Sequence, residues 1–85
     1  MLIFDSFPSL KKAEAFARYA KKIFKKRTKV YTDADEAWAA DPIIVGLIAP
    51  VVHVERCDID DENRLATEEA IEHSVEQFGG EFVGT

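Results

Sequence analysis

The chain has 85 residues, 47% of them hydrophobic and 32% charged, with a net charge of −5, which predicts one domain over residues 1–85 and excludes intrinsic disorder. The single cysteine, Cys57, excludes an internal disulfide, and the longest uncharged apolar stretch, residues 42–52, falls short of the roughly 20 residues of a membrane-spanning helix. Because the first residues also lack the pattern of a signal peptide, the sequence predicts a cytoplasmic protein without a membrane segment.

The first third of the chain predicts a strand, a helix and a second strand. Residues 2–7 (LIFDSF) are rich in strand-forming residues and stop at Pro8. From Ser9, a candidate N-cap, apolar residues recur at steps of three and four as far as Phe24, which is the pattern of an amphipathic helix. The alternating stretch TKVYT, residues 28–32, is typical of a second strand.

The middle of the chain predicts a helical turn, an apolar segment and a third strand. Asp33 opens DADE, a capping-box pattern, and the turn that it starts must end before Pro42. After the apolar residues 42–50 (PIIVGLIAP), VVHVER at 51–56 is typical of a third strand. Its alternation places Val52 and Val54 on one face, and Val51, His53 and Glu55 on the other.

The last third predicts a second helix and a fourth strand. The acidic stretch DIDDEN, residues 58–63, is expected to open the helix, because acidic side chains favour a first helical turn. Gly79 is expected to close it in the left-handed conformation. The chain then ends in EFVGT, residues 81–85, a short strand.

This order of elements resembles the ferredoxin-like split βαβ plan. The resemblance implies an α+β sandwich in which a four-stranded antiparallel sheet carries both helices on one face and leaves its other face open. A hairpin would suffice between strands two and three of that plan, yet here the connection takes about eighteen residues, 33–50. Connections of that length in small domains tend to be functional.

The open sheet face and the apolar connection together predict an interaction surface. The connection either covers the core of its own chain, together with Trp38, or contacts another chain. The predicted interface residues are Ile3, Tyr31, Ile43, Ile44, Val45, Leu47, Ile48, Val51, His53 and Val83. The function predicted first is therefore a binding or assembly module without enzymatic activity, acting as a homodimer or on a protein partner.

The first helix region is strongly basic. Residues 1–31 hold nine Lys and Arg against two acidic residues, whereas residues 32–85 hold two against fourteen. Two interpretations stay open: ion pairs with glutamates of the second helix, or binding of an anionic partner through the basic helix, residues 11–29. The candidate anion-binding residues are Arg18, Lys21, Lys22, Lys25 and Lys26. Nucleic acid is not the expected partner, because the domain is acidic overall and lacks the aromatic sheet motif of RNA binders.

The alternative function is a small enzyme or ligand-binding dimer that uses His53 with Glu55 or Asp5. Against a metal site, strand residues two apart lie about 7 Å from each other and those four apart about 13 Å, so His53, Glu55 and Cys57 cannot share one ion. The sequence contains no hydrolase, phosphate-loop, dinucleotide or zinc-protease motif. We therefore predict no catalytic residue, no metal and no cofactor.

Overall fold

The computed structural model describes residues 1–85 and has an α+β fold. The strands are β1 (Leu2–Asp5), β2 (Thr28–Tyr31), β3 (Val51–Val54) and β4 (Glu81–Gly84). The helices are α1 (Leu10–Phe24), α2 (Ala34–Ala40) and α3 (Arg64–Ser74), and a 3-10 turn (Val75–Phe78) continues α3. The strands form an open antiparallel sheet in the order β2-β3-β1-β4, which confirms the predicted four-stranded antiparallel sheet. Each helix is too short or too polar for a transmembrane span.

Helix α1 begins and ends where local chemistry requires it. Ser9 is extended, and its hydroxyl oxygen accepts a hydrogen bond from the Lys12 amide at 3.2 Å, so the predicted N-cap is confirmed. Lys25 ends the helix in the left-handed conformation, with φ of 59°. The small residues of its inner face bring the helix axis close to the sheet around Phe16, which is fully buried.

The larger apolar cluster joins the sheet to α1 and α3. Phe16 lies at its centre, and the ring centroids of Phe4, Phe7 and Phe78 are 4.8, 5.6 and 5.7 Å from its own. The other members of the cluster are Leu2, Ala13, Ala17, Ala20, Val52, Val54, Ile71 and Val75. These aromatic contacts add to the free energy gained by burial of apolar surface.

Two glycines join the 3-10 turn to β4. Gly79 has φ of 77°, which confirms the predicted left-handed end of this helical segment. At Gly80 a Cβ atom would lie 2.5 Å from a ring carbon of Phe7, so the backbone approaches that ring more closely than any side chain permits. The fourth strand can therefore pass directly beside Phe7 on its way to the sheet edge.

The second face of the sheet is covered, so the prediction of an open face is wrong. A smaller cluster of the buried residues Ile3, Ala37 and Val51 lies there. Tyr31, Ile44, Leu47 and Val83 pack against that cluster. We call α2 and residues 41–50 together the covering layer. It exists because the apolar side chains of this face would otherwise meet water.

Helix α3 begins later than the sequence predicts. The acidic segment forms a turn before the helix: the Asp61 amide donates to the Asp58 carbonyl at 3.0 Å, and the Asn63 amide donates to the Asp61 carboxylate at 2.8 Å. The acidic residues thus bond to the turn itself rather than to a first helical turn. Within the helix Ala70 is exposed and Glu68 is buried.

Candidate interaction surface

The covering layer is fastened to the first strand at one point. Asp5 is buried, and its carboxylate accepts hydrogen bonds from the Ile48 amide at 2.9 Å and from the Ser6 hydroxyl at 3.0 Å. The Ser6 amide in turn donates to the Ile48 carbonyl at 3.3 Å. The amide of Ile48 therefore bonds to Asp5, the last residue of β1, and the carbonyl of Ile48 bonds to Ser6, the residue that follows the strand. This bonding sets which side chains of the connection point inward.

Side chains of the connection divide between the sheet and the solvent. Ile44 and Leu47 face the smaller cluster and are partly buried. Ile43, Val45 and Ile48 remain 60%, 80% and 61% exposed, and Trp38 of α2 is 45% exposed. We call these four exposed residues the outer patch. Trp38 and Val45 also line a shallow groove of about 260 Å³ between α2 and the connection.

The outer patch has acidic neighbours. Asp33 caps α2, its carboxylate accepting a hydrogen bond from the Asp35 amide at 2.8 Å, and Asp35 and Glu36 occupy the first turn. Asp41 ends the helix and lies 3.6 Å from the N-terminal amine. No basic residue is present in α2 or in the connection. The surface is thus apolar with a negatively charged rim.

The structure separates the ten predicted interface residues by depth. Three of them, Ile43, Val45 and Ile48 of the connection, are exposed. Four are partly buried: Tyr31, Ile44, Leu47 and Val83. The expectation that Ile3, Val51 and His53 face outward into solvent is wrong, because all three are buried beneath the covering layer. The alternation of the third strand assigns Val51 and His53 to the correct face of the sheet. Their burial could not be predicted from alternation, because it depends on the covering layer.

His53 is buried without a hydrogen-bond partner at Nε2. It is 2% exposed, and its ring centroid lies 4.8 Å from that of Tyr31 at an interplanar angle of 56°. Burial lowers the pKa of His53 from its ordinary 6.5, because the imidazolium loses hydration there; the Asp41 carboxylate acts in the opposite direction. The neutral imidazole is therefore the form that this position favours.

The acid–base pairs that the sequence suggested are not assembled. Glu55 accepts hydrogen bonds from Arg27 Nε at 3.1 Å and Nη2 at 3.0 Å, and these bonds lower the pKa of Glu55. The Asp5 carboxylate bonds to Ile48 and Ser6. Neither carboxylate hydrogen-bonds to His53, and no group of three or more potential metal-ligating side chains comes together.

The basic face of α1 does not pair with α3. We define this face by the five candidate anion-binding residues, Arg18, Lys21, Lys22, Lys25 and Lys26. The helix is shorter than the predicted basic helix of residues 11–29, so Lys25 and Lys26 follow its last residue, Phe24. The three ion pairs of the structure are elsewhere: Arg27 with Glu55, Arg56 with Glu68, and the N-terminal amine with Asp41. The predicted exchange of ion pairs between the two helices is therefore wrong, because the buried Glu68 bonds to Arg56 and the other glutamates of this helical segment form no ion pair.

Comparisons with known proteins assign no family to this chain. Its sequence matches no protein-family model, and no curated protein or solved structure matches it.

Proposed function

We propose that this protein is a binding module without enzymatic activity, and that it holds a partner chain on the outer patch. The observation that supports this proposal is the exposure of three aliphatic side chains within six residues, 43–48, of a segment fastened at Ile48. Single exposed apolar residues are common on protein surfaces, whereas a cluster on a held segment is typical of an association site.

The chemistry of the patch indicates its partner. A few anchors, tryptophan prominent among them, contribute most of the binding energy of an interface, and Trp38 supplies such an anchor here with Val45 beside it in the groove. The acidic rim would face itself if two copies met through the same patch, and like charges across an interface oppose association. The occupant that fits is a different chain segment, with apolar side chains flanked by Lys or Arg.

We further propose that the fold is a ferredoxin-like split βαβ sandwich with an added covering layer. The strand order places β1 and β3 at the centre of the sheet, as that plan requires. Residues of α1 and α3 share one cluster with Phe4 and Val52, which supports a position of both helices on the same face. The binding surface then lies on the side that this plan usually leaves open.

Replacing Val45 by asparagine is expected to weaken binding of a basic amphipathic peptide by about tenfold, because burial of one valine side chain contributes about 1.5 kcal/mol or more. The probe is a synthetic peptide of leucine and lysine in helical spacing, titrated against the protein by calorimetry. Since the substitution leaves the charge unchanged, electrostatic attraction to the acidic protein stays the same.

Ile59→Asn is the matched control, because Ile59 is also 80% exposed but lies outside the covering layer. We expect it to change the affinity by less than twofold. Equal weakening by both substitutions would mean that the peptide binds exposed apolar residues without preference for the outer patch, and no weakening by either would mean that it binds by charge alone. Each of these results would make the proposal wrong. Light scattering of the protein without peptide should show a monomer; a dimer lost in Val45→Asn would replace the proposed partner by a second copy.

A second candidate function is supported by the basic face of α1. None of its five cations makes an ion pair, and the like charges of Arg18 and Lys22 lie four residues apart within α1. That repulsion is relieved when an anionic partner binds. An acidic protein segment fits better than nucleic acid, because a net charge of −5 repels a long phosphate backbone.

The double substitution Arg18→Gln and Lys22→Gln tests this candidate. We expect it to weaken binding to polyglutamate at least fivefold at low salt, and the wild-type affinity to fall as salt is added. The control is the double substitution Lys29→Gln and Arg64→Gln, which removes the same charge from other elements. It should lower the affinity for polyglutamate by less than twofold. Tighter binding to an RNA homopolymer than to polyglutamate would assign the face to nucleic acid, and binding to neither would end the candidate.

A further inference from the structure

His53 lies on the sheet face that the covering layer closes. Val51 and His53 are alternate residues of β3, so they point to the same side, where Val51 joins the smaller cluster. Buried polar atoms nearly always have a hydrogen-bond partner, yet His53 Nε2 has none. A neutral ring tolerates this environment better than a protonated one, which would place a charge and an unmatched donor in the interior.

The covering layer is weakly held in comparison with the rest of the fold. Helix α2 has 7 residues, and isolated helices shorter than about 12 residues are marginal in water. Ala37 is its only buried residue. The connection has no helix or strand, and its hydrogen bonds to the first strand are those of Ile48. Elements with few buried contacts open at a lower free energy than the core does.

We propose that the covering layer is a lid that opens when His53 takes up a proton. This inference is independent of the proposed partner, because it concerns the face beneath the layer and not the outer patch. Opening brings the imidazolium into contact with water and exposes Ile3, Val51 and the partly buried Val83. The sheet face that is closed at neutral pH thereby becomes accessible in mildly acidic solution.

The charged and titratable groups around His53 act on its protonation in opposite directions. From β2, Lys29 lies opposite His53 in the strand register, and the Tyr31 ring lies against the imidazole. From the end of α2, the Asp41 carboxylate favours the imidazolium, while the N-terminal amine, 3.6 Å from that carboxylate, disfavours it. On the same face, Asp5 bonds to Ile48 and Glu55 bonds to Arg27. None of these groups hydrogen-bonds to the imidazole, so burial prevails and lowers the pKa of His53.

The direction of the pH effect follows from the proton count. With the lid closed, the pKa of His53 is below 6.5, whereas in the open state the ring is in water and its pKa is close to 6.5. The open state therefore binds more protons as the pH falls below 6.5. The closed state is therefore most stable relative to the open state above pH 6.5. This advantage decreases as the pH falls from 6.5 to the lower pKa that His53 has in the closed state.

Amide exchange and tryptophan fluorescence measure this opening in the intact protein. The Ile48 amide is protected only while it donates to Asp5, and Trp38, the single tryptophan, lies in the lid. We expect the protection factor of Ile48, corrected for the intrinsic pH dependence of exchange, to fall about three- to fivefold between pH 6.5 and 5.5, which is close to the most that one imidazole can cause over this range. Trp38 emission should change over the same range, while the Phe16 amide in α1 keeps its protection.

Variants separate His53 from other titrating groups. His53→Phe and His53→Leu cannot be protonated, and we expect the pH dependence at Ile48 to disappear in both. His73, the other histidine, is exposed on α3, so His73→Ala should leave the dependence unchanged. Asp5→Ala removes the fastening of Ile48 and should lower its protection already at pH 7.5.

Three results would overturn the inference. One is constant protection of Ile48 in the wild type from pH 7.5 to 5.5. Another is an equal fall in His53→Leu or His53→Phe. The third is a parallel loss of protection at Phe16, which would mean that the whole fold loosens rather than the lid. If neither His53 variant folds, an NMR titration of the wild-type imidazole must coincide with the loss of Ile48 protection, and a mismatch in pH would equally end the proposal.

Discussion

Replacing Phe16 by alanine will lower the free energy of unfolding by about 3 to 5 kcal/mol. Phe16 is fully buried, and its ring meets those of Phe4, Phe7 and Phe78 within 5.7 Å. The substitution removes a large apolar side chain and leaves a cavity where the sheet, α1 and the 3-10 turn converge. A chain of this length has a total stability of about 4 to 13 kcal/mol, so a large part of it depends on one ring.

Urea denaturation followed by circular dichroism measures this loss. Ile23→Ala is the matched control, because Ile23 lies in the same helix but is 53% exposed. We expect the control to cost less than about 1 kcal/mol, since little of its side chain leaves water. Comparable losses in the two variants would show that the centre of the core lies elsewhere. If Phe16→Ala does not fold at all, Phe16→Leu provides a milder measurement with the same sign.

Replacing Glu68 by glutamine will destabilise the fold by about 2 to 3 kcal/mol at neutral pH. The buried Glu68 carboxylate accepts from Arg56 Nη2 at 3.0 Å, from Arg56 Nε at 3.4 Å and from the Cys57 amide at 3.0 Å. It therefore ties the end of the third strand to α3. The loss is smaller than for a fully buried ion pair, because Arg56 is partly exposed and water solvates it when its partner is removed.

The pH dependence of stability gives a second measurement on Glu68. The Arg56 guanidinium is the main cause that lowers the pKa of Glu68 below its ordinary 4.5, with the Cys57 amide adding to it. The folded state thus favours the carboxylate, whose contribution is present above pH 4.5 and is lost as the pH falls through the lowered pKa. The difference in stability between wild type and Glu68→Gln should shrink over that range.

Glu69→Gln is the control for both measurements, because Glu69 is the next residue and is exposed. It should change the stability by less than about 0.5 kcal/mol and leave its pH dependence as in the wild type. If Glu68→Gln matched this control at pH 7, the bonds to Arg56 and Cys57 would not contribute to stability in solution.

Structural features that depend on residues close to one another in the chain could be predicted from the sequence. The N-cap at Ser9, the spacing of apolar residues in α1 and the left-handed Gly79 each depend on residues that are close in the chain, and the structure has them where expected. The covering layer depends on a contact between Asp5 and Ile48, 43 residues apart. No local pattern reports such a contact, so the sheet face was expected to be open.

The same limit explains the errors at charged residues. Glu68 is one of the glutamates of the second helix that could have paired with the basic helix, but its carboxylate bonds to Arg56 and the Cys57 amide and is buried. His53 was assigned to the correct face by alternation, and only the covering layer decides that this face is dry. In each case the residue type was compatible with exposure, and a partner distant in the chain determined burial.

The close approach of Gly80 to Phe7 also constrains how this fold can diverge. Since even a methyl group at position 80 would overlap the ring, an alanine there requires a smaller residue at position 7. The two positions should therefore covary during evolution. A homologue that keeps a large aromatic residue at the position of Phe7 should keep glycine at the position of Gly80, and one without that ring can carry a side chain there.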